Sequence, residues 1–122
     1  MIDSILNSVK KRVNVLEADT SFDEDIIVEI NSAFSTLTQL GLGPEEGFQI
    51  TDDTTEWADY VTAGVPDLHL NSVKTYIGLK VRQVFDPPAS SFALSAMERQ
   101  IEQLEWRLNV VREEVLYPLE EV

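Results

Sequence analysis

Ile2, Ile5, Leu6, Val9 and Val13 recur at helical spacing, and Lys10, Lys11 and Arg12 follow where the negative end of a helix dipole favours cations. The pattern predicts a short first helix with Asp3 in its opening turn. A second helix is expected after a Thr20 or Ser21 cap, with Asp23, Glu24 and Asp25 at its positive end. Its apolar stripe is Ile26, Ile27, Ile30, Phe34, Leu37 and Leu40, and Gly41, Gly43 and Pro44 stop it. From Pro44 to Pro66 the helical period is lost, apart from a short helical turn around Trp57, Tyr60 and Val61. Pro66 and Asp67 open a third helix with Leu70, Val73, Tyr76, Ile77, Val81, Val84 and Phe85 on its buried side. Asp86-Pro87-Pro88 ends it in a stiff corner.

Ser90 or Ser91 caps the last helix, where Leu94, Met97, Ile101, Leu104, Leu108, Val111 and Val115 form a heptad seam. From Ser91 to Val115 it would run roughly 37 Å at the α-helical rise, more than a domain of this size needs to cover its own core. Part of it is therefore expected to meet another subunit. Pro118 breaks the pattern, so residues after Val115 are read as an extended tail. The fold class is all-α: a small four-helix bundle over residues 1–115, with a long C-terminal helix and an extended tail over 116–122.

Charge sharpens this picture. The chain holds 22 acids against nine Lys and Arg, a net charge of -13, which argues against a surface that grips phosphate backbones or anionic lipid. Most of the excess lies early: residues 1–66 carry 13 acids and three bases, and residues 67–122 carry nine and six. With no cysteine there is no disulfide frame and no thiolate site, which suits a reducing compartment. Met1-Ile2-Asp3 does not read as a basic leader, and no apolar run is long enough to span a membrane.

Enzymatic constellations are missing. His69 is the one histidine and has no nucleophile elbow near it, and a zinc or haem site would lack ligands. Asp52-Asp53-Thr54-Thr55-Glu56 lacks the glycine and the distant glutamate of a helix-loop-helix calcium site. Gly41-Leu42-Gly43-Pro44 follows a helix instead of a strand and has no phosphate-loop lysine. No enzyme activity and no cofactor are expected, and acid pairs are read as solvated helix faces. Trp106, two residues from both Leu104 and Leu108, points away from the middle of the seam; it either covers a second flank of the bundle or anchors an interface. Trp57 poses the same choice, and its loop context favours packing the loop down.

Two stretches carry a resemblance. Lys74-Thr75-Tyr76 leads into Lys80-Val81-Arg82-Gln83-Val84-Phe85-Asp86-Pro87-Pro88, and Leu104-Glu105-Trp106-Arg107-Leu108-Asn109 follows later. Together with Ile30-Asn31, Leu40-Gly41-Leu42-Gly43-Pro44, Glu46-Gly47-Phe48 and Trp57, the chain resembles the small head-tail connector proteins of long-tailed phages. The resemblance implies a structural virion protein of the neck, assembled in the host cytoplasm. It also implies a homo-oligomeric ring, expected to be twelve-fold, seated beneath the portal protein and presenting a surface to a neck, stopper or tail completion protein. DNA would pass through without specific binding. Twelve copies at -13 each would place roughly 150 negative charges around it, with little counterion-release gain for passing DNA.

Within that expectation, Val115, Leu116, Tyr117, Pro118 and Leu119 form the candidate portal-binding segment, since an apolar extended segment can order on docking. Arg99, Trp106 and Arg107 form the candidate subunit interface. Glu45, Glu46, Phe48, Asp52 and Asp53 form the candidate tailward loop. The rival reading is a small acidic DNA mimic that inhibits a nucleic-acid enzyme, which the charge suits and the ordinary core pattern does not.

Overall fold

A computed structural model describes residues 4–44, 46–62 and 70–116. The fold is all-α, with five helices among the described residues, in the order α1 (Ile5–Arg12), α2 (Asp23–Gln39), α3 (Trp57–Thr62), α4 (Leu70–Phe85) and α5 (Ser91–Leu116). The four expected helices are α1, α2, α4 and α5, and the expected helical turn is α3. Ile2, Asp3, Pro66, Asp67 and His69 lie outside the described residues.

α4 is the centre of the packing: α1, α2 and α5 all lie against it, and α1 also meets α2. Val73, Tyr76, Ile77 and Val81 of α4 are fully buried, facing Ile26, Ile30, Phe34 and Leu37 of α2 and Ile5, Leu6 and Val9 of α1 within one apolar cluster. Val84 departs from the expected stripe and is exposed, because burial on α4 stops at Val81, with Phe85 only packed against the margin.

Local chemistry sets the helix ends. Ser4 caps α1, its hydroxyl accepting the Asn7 N–H at 3.3 Å. At the other end Asn14 takes φ 62°, and the Val15 N–H reaches the Lys10 carbonyl at 2.9 Å, closing the helix with an asparagine where glycine is usual. Gly41 does the same for α2 at φ 88°: its own N–H bonds the Thr38 carbonyl and the Leu42 N–H bonds the Leu37 carbonyl, both at 2.9 Å. Leu42, buried beside Leu37, supplies the apolar contact of that ending.

The start of α2 corrects the expectation of a Thr20 or Ser21 cap. Phe22 occupies the cap position, and no side chain caps the helix. The cause is Lys10. Instead of resting at the surface, its side chain is buried, and its ammonium donates to the Glu17 carbonyl at 3.0 Å and the Asp19 carbonyl at 2.7 Å. It also pairs with the Asp23 carboxylate at 2.7 Å. Lysine is rarely buried unless paired, and here the chain from Glu17 to Asp23 turns around the charge, leaving Thr20 and Ser21 exposed. Asp19 in turn accepts the Ser21 N–H at 3.0 Å, which holds its carboxyl below the usual range.

The segment between α2 and α3 is irregular but tied down at several points. Asn31 holds both backbone polar groups of Ile50, and the Ile5 N–H bonds the Thr55 carbonyl at 3.0 Å. Phe34, Phe48 and Tyr60 form a triangle of rings with centroids 4.9–5.0 Å apart. Gly43 fits beneath it, because a Cβ there would come within 3.2 Å of the Tyr60 ring. Trp57 is buried and donates its indole N–H to the Ser8 hydroxyl at 2.8 Å, so this tryptophan packs the loop onto α1.

Candidate functional site

α5 has one buried face and one exposed face. Ser90 starts it, its hydroxyl accepting the Ala93 N–H at 3.1 Å. Met97, Ile101 and Leu108 are buried against the bundle, with Leu104 packed at the margin. The Tyr76 hydroxyl of α4 donates to the Glu105 carboxylate at 2.7 Å and fixes the two helices in register. Burial, and then this carboxylate, push the Tyr76 phenol above its ordinary range, so it stays a donor.

The remaining surface of α5 has a pattern of its own. Phe92, Arg99 and Trp106 fall seven residues apart, so they share one face with a drift of about 20° per step. Phe92 is 78% exposed and Trp106 is 68% exposed. The Trp106 ring therefore does not cover a flank of its own bundle. The two aromatics stand about 21 Å apart along the axis, with arginine between them. Phe92 was not expected from the heptad seam; the signal is its spacing of two heptads from Trp106.

Arg99, Trp106 and Arg107 are brought together: with Glu102 and Gln103 they line one shallow groove of about 460 Å³. A second groove of about 390 Å³ runs beside it between α4 and α5, where Asn71 and Thr75 face Gln103 and Arg107. Both are open, and neither combines a nucleophile with a base. Among the described residues no group of three or more His, Cys, Asp or Glu is placed to hold a metal ion. What this surface offers is apolar area flanked by guanidinium groups, the composition of a protein contact.

The other candidates are spread out. Glu46, Asp52 and Asp53 are exposed, whereas Phe48 belongs to the aromatic triangle, and Glu45 lies outside the described residues. Asp52 accepts the Thr54 hydroxyl at 2.5 Å and its N–H at 2.9 Å, which keeps its carboxyl below the usual range. Val115 and Leu116 are part of α5, so the helix carries on past the predicted start of an extended tail. The restriction before Pro118 falls on Tyr117, one residue later. Tyr117, Pro118 and Leu119 lie outside the described residues.

The K-V-R-x-x-F-D-P-P stretch has a structural role at the corner between α4 and α5. The Asp86 carboxylate accepts from the Asn14 side chain at 2.8 Å, and the Arg82 guanidinium donates to the Asp86 carbonyl at 3.1 Å. The corner that aims α5 is thus tied to the end of α1.

No helix among the described residues is long and apolar enough to cross a membrane. No curated protein and no solved structure matches the chain. A family model described as "Phage connector protein" matches residues 5–115, from the first residue of α1 nearly to the end of α5.

Proposed function

This chain belongs to the phage connector protein family, and we propose that it acts as one subunit of a ring that joins the portal protein of a filled capsid to the next protein of the neck or tail. The role is structural and not enzymatic. The family match across all five helices carries this reading, and the free face of α5 supports it. A ring subunit needs a rigid element with one side committed to its own core and another open to a neighbour, and α5 has both.

Within the ring, expected to be twelve-fold, Arg99, Trp106 and Arg107 serve the subunit contact. The segment Val115, Leu116, Tyr117, Pro118 and Leu119 reaches the portal, and Glu46, Asp52 and Asp53 face the tailward partner, with Glu45 beside them in sequence. The strong acid excess leaves DNA free to move through the channel. An acidic DNA mimic is a poorer account, because the groove around the exposed Trp106 carries two arginines and a single carboxylate instead of a run of carboxylates.

Disrupting this reading frame in the phage that encodes it tests the role. The expected result is an accumulation of DNA-filled heads and separate tails that join when the protein is supplied. Joined, infectious particles without it would overturn the proposal.

A further inference from the structure

The outer face of α5 has a counterpart elsewhere on the same chain. α2 turns Asp25, Val28, Ser32 and Ser35 to solvent at steps of three and four residues, with Glu24 beside them. Val28 is an exposed large apolar residue, and Ser32 and Ser35 are exposed on the same face. α2 carries four acids, Asp23, Glu24, Asp25 and Glu29, and no base. The α5 face pairs exposed aromatics with Arg99 and Arg107, and Glu102 lies in the same groove. Each helix packs on α4.

Resting on the connector reading, we propose that the outer face of α5 in one copy seats on the solvent face of α2 in the next copy. Trp106 packs over Val28 and the adjoining serines, while Arg99 and Arg107 meet Glu24 and Asp25. Charge complementarity favours this occupant: at -13 per chain, copies repel one another at most orientations, whereas the Trp106 groove, with two arginines against one carboxylate, meets here a helix whose charged residues are all acids. Because the two surfaces differ, each added copy leaves one α5 face and one α2 face open. Copies therefore add in one direction until the ring closes, which a twofold contact does not permit.

The absence of cysteine makes the contact directly testable. Full-length W106C and V28C chains are mixed and oxidised, alone at high concentration and on the cognate portal, and a chain carrying both cysteines is treated in the same way. The mixture is expected to give 106-to-28 disulfide dimers, and the double-cysteine chain a ladder ending at the ring's copy number. A second arm keeps the tryptophan: R99E/R107E is expected to weaken self-association at least about tenfold, with recovery when it is mixed with an E24K/D25K chain. Oligomers without the 106-to-28 link, a predominance of W106C homodimers, or no recovery in the charge-swapped mixture would overturn the α2 seat while leaving portal binding intact. Absence of any oligomer, alone or on the portal, overturns it too. Loss of portal binding by the unaltered chain is the separate result that removes the connector reading itself.

Discussion

Asn31, in the middle of α2, holds Ile50 by both of its backbone polar groups: its side-chain oxygen accepts the Ile50 N–H at 2.8 Å and its amide donates to the Ile50 carbonyl at 3.0 Å. One side chain thus stands in for a neighbouring strand, and it fixes the segment that carries Asp52 and Asp53. Asn31→Ala leaves both backbone groups without that partner and is expected to cost about 2 kcal/mol, taking about 1 kcal/mol for each bond. Urea unfolding monitored by circular dichroism measures it, and an unchanged midpoint would show that the loop holds without Asn31.

Lys10 is expected to matter more than any other charged residue to folding. Lys10→Met keeps the length but removes a buried cation from two carbonyls and the Asp23 carboxylate. Breaking a buried pair from one side costs about 3–5 kcal/mol; the Asp23 oxygen facing Lys10 is itself buried although the side chain as a whole is 25% exposed, so about 3 kcal/mol is expected. Lys11→Met, at an exposed position, is the comparison and is expected to change stability by less than about 0.5 kcal/mol.

The two tryptophans should separate folding from assembly. Trp57→Ala removes a buried ring that bonds Ser8 and lies 5.5 Å beneath the Lys74 ammonium, and a loss of about 3–5 kcal/mol is expected. Trp106→Ala is expected to leave the unfolding midpoint nearly unchanged while weakening self-association. Thermal unfolding and sedimentation of both variants check this, and a large loss of stability in Trp106→Ala would contradict it.

The buried phenols predict an alkaline limit. Burial raises the Tyr60 phenol above its ordinary value of 10.0, and burial with the Glu105 carboxylate does the same for Tyr76. With folded values above unfolded ones, both favour the native state fully below about pH 10. That advantage is lost as pH rises beyond it, because the unfolded chain releases these protons first. The Tyr60 hydroxyl is buried without a hydrogen-bond partner among the described residues, so Tyr60→Phe is expected to be neutral or stabilising by up to about 1 kcal/mol. Tyr76→Phe loses the bond to Glu105 and is expected to cost about 1–2 kcal/mol. Urea midpoints from pH 8 to 11 should fall for the unaltered chain and fall less for the double variant.

The helices were legible because their apolar residues are periodic, and Gly41 and Ser90 act at the ends where their chemistry placed them. Lys10 is legible as a last-turn cation, where helix position and dipole agree, but a cation there satisfies the dipole equally well buried or exposed; only the fold shows that three oxygens turn back to meet it. Phe92 was overlooked for the opposite reason, since a strong inner seam at Leu94 and Met97 draws attention from a second stripe on the same helix. Trp106 was legible as a choice between packing and contact, and its exposure removes the first. The Asn14 bond to Asp86, spanning 72 positions, has no local signal at all.

Native mass spectrometry of the chain mixed with its cognate portal tests the central claim most directly. The account predicts a complex whose added mass is a closed set of copies of this chain, about twelve, weakened when the chain ends at Glu114. An unaltered portal mass with either form, at low and at moderate salt, would contradict it.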